Sequence, residues 1–264
     1  MKKSVVAISL ILVALALLWF YFPLRSLVVM SYYSNDHAKQ SVMRQNEFEI
    51  DIPSGRGWYP FVMTYNASGF TSFSKQGAKM SIMYNFGAFD FTKRTSSLYD
   101  KQSDKYSSFY GAYVVQEDGG VFGFDDDGSI DLSEVSLAVE YDYTKLVIRD
   151  FGCDNQTFEI GDFVIEEDVA YAGSTGWTRI DAVMVSNGAA HNYDGYMLPY
   201  LQYGRPMDTV EIDFEVTTLF GRVYAKYFSE YDCTVMIYVI APTIDAANAC
   251  DSNILNKTTI AQLD

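Results

Sequence analysis

Positive charge is scarce in this chain, and histidine and cysteine are scarcer still. Over 264 residues, 19 lysines and arginines stand against 34 acidic residues, a formal net charge of −15. Every acidic residue lies from Asp36 onward, and Lys2, Lys3 and Arg25 precede it, so the remaining 16 basic residues face all 34 acids. A surface that negative repels phosphate backbones and anionic lipid heads, which excludes nucleic acid as a partner. It leaves cationic ligands, divalent metals or basic proteins, with plain solubility as the simplest alternative. Three cysteines, Cys153, Cys233 and Cys250, cannot all pair within one chain and match no CxxC zinc or redox spacing. Cys233 and Cys250 could close a short loop, but such sparse use argues against a disulfide framework.

The shortage of histidine narrows the chemistry further. His37 falls in a polar stretch and reads as solvated. His191 has Asp194 three residues on, and such a pair can orient a hydroxyl nucleophile, with Ser174 or Ser186 as candidates. The surrounding Gly173-Ser174-Thr175-Gly176 is not a nucleophile elbow, however. HExxH, P-loop and GxGxxG patterns are absent, which removes zinc peptidases, nucleotide hydrolases and dinucleotide enzymes. No internal repeat and no low-complexity linker is visible.

What is present begins with an uncharged run, Ser4 to Leu24, preceded by two lysines. At 1.5 Å per residue such a run forms a helix of about 31 Å, matching a hydrocarbon core of roughly 30 Å. Trp19, Tyr21 and Phe22 near its end suit the aromatic belt of a membrane interface. Ala14-Leu15-Ala16 also fits a signal-peptidase site, but cleavage there would leave an apolar start, LLWFYFPL, so an uncleaved anchor is the preferred reading. With no cysteine near this segment, lipid attachment at an N-terminal cysteine is not expected. Basic residues flank both ends, making the positive-inside count nearly even; the likeness to a signal sequence favours a single pass with the domain outside the cytoplasm. The expected organisation is therefore a membrane anchor over 1–28, a polar stalk or short helix over 29–46, and one extracytoplasmic domain over 47–264.

That domain reads as β-rich. Aromatic content is 16%, and Tyr and Phe favour pleated surfaces. Phe48, Ile50 and Ile52 alternate with Glu47, Glu49 and Asp51, the two-residue period of a half-buried strand. GWYPFVMTYNA, GFTSFS and AKMSIMYNF follow at short spacing as an antiparallel meander, and residues 92–108 read as a surface loop. Further strands are expected at 110–116, 158–160, 163–165 and 177–185, with turn signals over 186–196. Near the C-terminus TVEIDFEV alternates, Leu219, Phe220, Val223, Tyr224, Tyr227 and Phe228 follow three-four spacing, and CTVMIYVIAP is almost wholly apolar. This order predicts strand, helix and buried strand with a parallel crossover. The fold class is thus α+β, mostly antiparallel sheet with a few helices, a C-terminal strand-helix-strand unit and an N-terminal transmembrane helix.

One segment resembles a ligand loop. Asp125 to Glu134, aligned on Gly128, reproduces the later positions of an EF-hand calcium loop, with Asp125, Asp127 and Asp131 supplying oxygens and Glu134 closing the shell. Its first position, Gly123, has no side-chain oxygen, and Glu117 to Phe122 contain a Gly-Gly pair unsuited to an entering helix. The competing reading is an acidic turn with Asp131 capping a helix. Asn66, Asn155 and Asn256 open glycosylation sequons. No catalytic set stands out. A non-catalytic domain that binds an unknown protein or small ligand is the first functional expectation. The alternative is a cell-envelope hydrolase acting on saccharide or peptide, which needs two carboxylates roughly 5–9 Å apart in an aromatic cleft.

Overall fold

The computed structural model describes residues 2–67, 73, 75–90, 92, 95–147, 156–187 and 216–263. The run CTVMIYVIA becomes a strand, β10 (Cys233–Ala241), in which all nine residues are buried. It lies inside a seven-stranded antiparallel sheet, ordered β2-β3-β6-β10-β9-β8-β7, formed with β2 (Met63–Asn66), β3 (Ala78–Phe86), β6 (Phe109–Glu117), β7 (Phe158–Tyr171), β8 (Ser174–Ser186) and β9 (Thr217–Phe228). Ile237 pairs with Ala112 on one side and Tyr224 on the other. A strand buried on both faces needs no polar alternation, which is why its sequence is continuously apolar.

Each face of the sheet has its own cover. Met236, Tyr238 and Ile240 join one core with Val135, Ala138 and Val139 of α4 (Leu132–Tyr141). Val235, Ile237 and Val239 join the other with α3 (Val42–Gln45), α5 (Ile244–Asn253) and β1 (Phe48–Asp51), which pairs with β11 (Thr259–Gln262). Asp131 caps α4 through the N–H groups of Ser133 and Glu134, and Thr243 caps α5 through that of Ala246.

The N-terminal run forms two helices, α1 (Lys2–Trp19) and α2 (Tyr21–Ala38). Pro23 explains the break: it has no N–H to return to the carbonyl four residues back, and its ring crowds that carbonyl. Among the described residues no single helix is long and apolar enough to cross a membrane. Val5–Trp19 and Pro23–Gln45 reach that length and composition only together, bent by 62°. From Ser26 on, α2 is not a free stalk. Ser26, Leu27 and Met30 meet the domain, and the Oγ of Ser26 hydrogen-bonds the Tyr59 hydroxyl at 3.0 Å.

The α+β class and the dominance of antiparallel sheet agree with the sequence reading, but three local expectations change. The strand-helix-strand unit is wrong: residues 217–228 are a strand, and β9 and β10 form an antiparallel hairpin rather than a parallel pair. The three-four spacing misled because β9 is covered on both sides, Leu219, Val223 and Ala225 by one core and Tyr224 and Phe228 by the other. Residues 92–108 are not simply a surface loop: β5 (Thr95–Ser96) pairs with β4 (Phe89–Asp90), and Leu98, Tyr106, Ser107 and Ser108 are buried. The strands at 158–160 and 163–165 are one strand, β7, with its ladder shifted beside Asp162, whose φ is +53°. The expectations at GFTSFS, 188–196 and 209–215 fall wholly or mainly outside the described residues.

Candidate functional site

The acidic turn is tightly organised by its own hydrogen bonds. Phe124 and Ile130 form a β-bridge, and between them the N–H of Gly128 reaches the carbonyl of Asp125 at 2.8 Å. Gly128 has a φ of +84°, a left-handed conformation that glycine adopts without strain. Asp127 turns back onto the N–H and hydroxyl of Ser129, and these bonds hold its carboxyl below the usual carboxylate range. Asp131 is likewise lowered, first by the Ser133 hydroxyl, and caps α4.

Glu134 points elsewhere. One oxygen accepts from the N–H of Gly123 at 2.7 Å and the other pairs with Lys75, which also meets Glu117 at 2.6 Å. The side chains of Asp127, Asp131 and Glu134 thus engage local donors. Asp125 carries the turn through its backbone and faces the Ser129 hydroxyl only at 3.4 Å. Among the described residues no group of three or more His, Cys, Asp or Glu side chains gathers as a metal ion would require.

His191 and Asp194 lie outside the described residues. Ser174 accepts from the indole N–H of Trp177 at 2.9 Å and from the ammonium of Lys226 at 3.2 Å, and Ser186 is fully buried. Cys233 and Cys250 are both free and buried. Burial pushes their thiols up, Cys233 to about 12, so neither is a thiolate nucleophile. Cys153 lies outside the described residues.

A better-formed site lies where α5 crosses the end of β10. A cleft of about 310 Å³ is lined there by Arg56, Trp58, Asp104, Lys105, Ala246 and Cys250, among others. Ala246, Ala249, Cys250 and Asn253 recur at three-four spacing, so one face of α5 bounds the cleft with mostly small side chains, which leave room. The Lys105 ammonium lies 5.7 Å from the Trp58 ring centroid and pairs with its neighbour Asp104 at 3.0 Å. Gly57, at a φ of +84°, lets this lysine lie close: a Cβ there would stand 3.0 Å from its Cε. Arg56 is exposed at the rim, with no ion pair among the described residues. Two cations against one carboxylate make this a locally positive recess on a strongly acidic protein. Sequence reasoning missed it because its walls come from 55–58, 104–108, 241 and 246–254. The single legible signal was the small-residue spacing along Ala246, Ala249 and Cys250.

Comparison with known proteins finds no relative: no family model matches the chain, and no curated protein or solved structure does.

Proposed function

We propose that this is a membrane-tethered protein whose β-rich domain faces outside the cytoplasm and binds a small ligand or partner without catalysing a reaction. One observation carries the tether. From Val5 to Trp19 the large apolar side chains of α1 are exposed, Leu18 at 69%, and they lie on all sides rather than along one stripe. A helix apolar all round belongs in a core or a bilayer, and α1 joins neither core of this domain. The bilayer segment runs from Ser4 towards Leu24. From Ser26 on, α2 lies against the domain.

The cleft beside Trp58 is the best-supported seat for a ligand, and its Arg56 and Lys105 favour one bearing a carboxylate or phosphate on a small apolar body. The hydrolase reading has less to stand on. The clefts beside Trp58, His37 and Tyr171 contain Asp104, Asp36 and no carboxylate, respectively, so none supplies the required pair. Protease added to intact cells tests the orientation: the account expects the domain to be removed, leaving a short membrane-bound stub. Protection in intact cells with digestion after lysis would reverse it.

A further inference from the structure

Among the described residues strand β2 is an edge of the seven-stranded sheet, bonded to β3 on one side. An uncovered edge presents unpaired backbone N–H groups that invite pairing with other chains. Here α2 covers it with side chains. The Oγ of Ser34 accepts from the N–H of Thr64 at 2.9 Å, and the Nδ1 of His37 accepts from the N–H of Asn66 at 3.0 Å. The Asn66 amide donates in return to the backbone carbonyl of His37 at 2.7 Å and accepts from the Ser81 hydroxyl. The imidazole stacks on Tyr65, with ring centroids 5.0 Å apart, and tilts against Tyr33 at 4.3 Å. These contacts join the end of the N-terminal helix to the sheet.

We propose that His37 is a proton-operated latch: its neutral ring holds the end of α2 on the β2 edge, and protonation at Nδ1 releases it. Nδ1 can accept the Asn66 N–H only through a lone pair, and the imidazolium ion carries hydrogens on both nitrogens. A proton there would set N–H against N–H in a half-buried place. The groups facing the ring are Asp36 and Tyr33 on α2 and Tyr65 on β2. Lys79 of β3 stands across the adjoining cleft of about 240 Å³, whose other polar lining includes Gln40, Gln45, Asn66 and Ser81. Burial lowers the imidazole pKa below its usual 6.5, against the opposing pull of Asp36. The latched state therefore resists protonation and the released state does not. The latch is thus fully engaged above pH 6.5 and loosens as pH falls from there towards the lower, latched-state value. On the tethered reading above, release would uncover the Asn66 end of the β2 edge, while Ser26, Leu27, Met30 and Ser34 keep the rest of α2 seated on the domain.

Amide hydrogen exchange on the full chain in lipid nanodiscs, from pH 8 to pH 4.5 and corrected for intrinsic rates, tests this. Protection at Asn66 should fall by up to about tenfold per pH unit below 6.5, while Val235 in β10 stays protected. His37→Asn places an amide oxygen where Nδ1 stands, so its Asn66 protection should remain high and flat across the range. His37→Phe, with no acceptor, should show low Asn66 protection at every pH. A flat wild-type profile, or a His37→Asn chain that keeps the wild-type pH response, would overturn the latch. The His37→Asn arm decides the matter even where the phenylalanine variant folds poorly.

Discussion

Two carboxylates are buried on opposite faces of the same sheet, and their surroundings could hardly differ more. Asp251 of α5 meets the Arg222 guanidinium at 2.9 Å and accepts from the hydroxyls of Tyr171 at 2.6 Å and Tyr224 at 2.8 Å. Arg222 also pairs with Asp181; burial works against that carboxylate, but Arg222 and Arg179 outweigh it and lower its pKa. Asp142, at the end of α4, has no such cation among the described residues. The Tyr113 hydroxyl donates to it at 2.8 Å, and the Tyr143 hydroxyl nearby is buried with no hydrogen-bond partner among the described residues. Burial pushes its carboxyl up to about 7, against the Tyr113 bond. One face thus buries a carboxyl by pairing it, the other by raising its pKa so that it holds its proton below about pH 7.

That contrast sets the order of expected effects. Ile237→Asp would bury a third carboxyl, in the middle of β10, with neither arginine nor tyrosine arranged for it. The chain should fail to fold, seen as loss of cooperative unfolding, since an unpaired buried charge costs several kcal/mol. Asp251→Ala leaves Arg222 with one partner and two tyrosines without an acceptor, and denaturant unfolding in detergent should show a loss of about 3–5 kcal/mol.

Asp142→Asn should act in the opposite sense at high pH. The unfolded carboxyl ionises near 3.8 and the folded one near 7. The native state therefore keeps a proton that the unfolded state gives up, and wild-type stability should fall as pH rises between those values. The variant should flatten that slope and exceed wild type at pH 8 by up to about 4 kcal/mol. A wild-type curve that rises over the same range would mean that Asp142 is ionised in the native state.

The smallest effect belongs to Glu134→Gln, which weakens a partly exposed pair with Lys75 and should cost about 0.5–1 kcal/mol. Melting curves with calcium and with chelator should coincide for the wild-type chain. A calcium-dependent rise that Glu134→Gln erases would make Asp125 to Glu134 a metal loop after all.

These residues also show where sequence reasoning reaches its limit. β1 and β10 were legible because burial writes itself into spacing: alternation where one face is covered, an unbroken apolar run where both are. β9 broke the rule, since cover on both sides by aromatic and small residues imitated helical spacing. Asp131 was legible as a cap because capping is local. Lys75, 59 positions from the Glu134 it neutralises, was not. The seating of the end of α2 left no apolar pattern, because Ser34 and His37 hold β2 through backbone N–H groups, and the Trp58 cleft draws on four separate segments.

The central claim is that α1 belongs in a bilayer and carries the domain with it. The most direct test is alkaline carbonate extraction of membranes from cells making the full chain. The account predicts that the intact chain stays in the pellet, and that a chain lacking residues 2–24 appears folded in the supernatant. Release of the full chain by carbonate, or a soluble mature product beginning near Leu17, would contradict it.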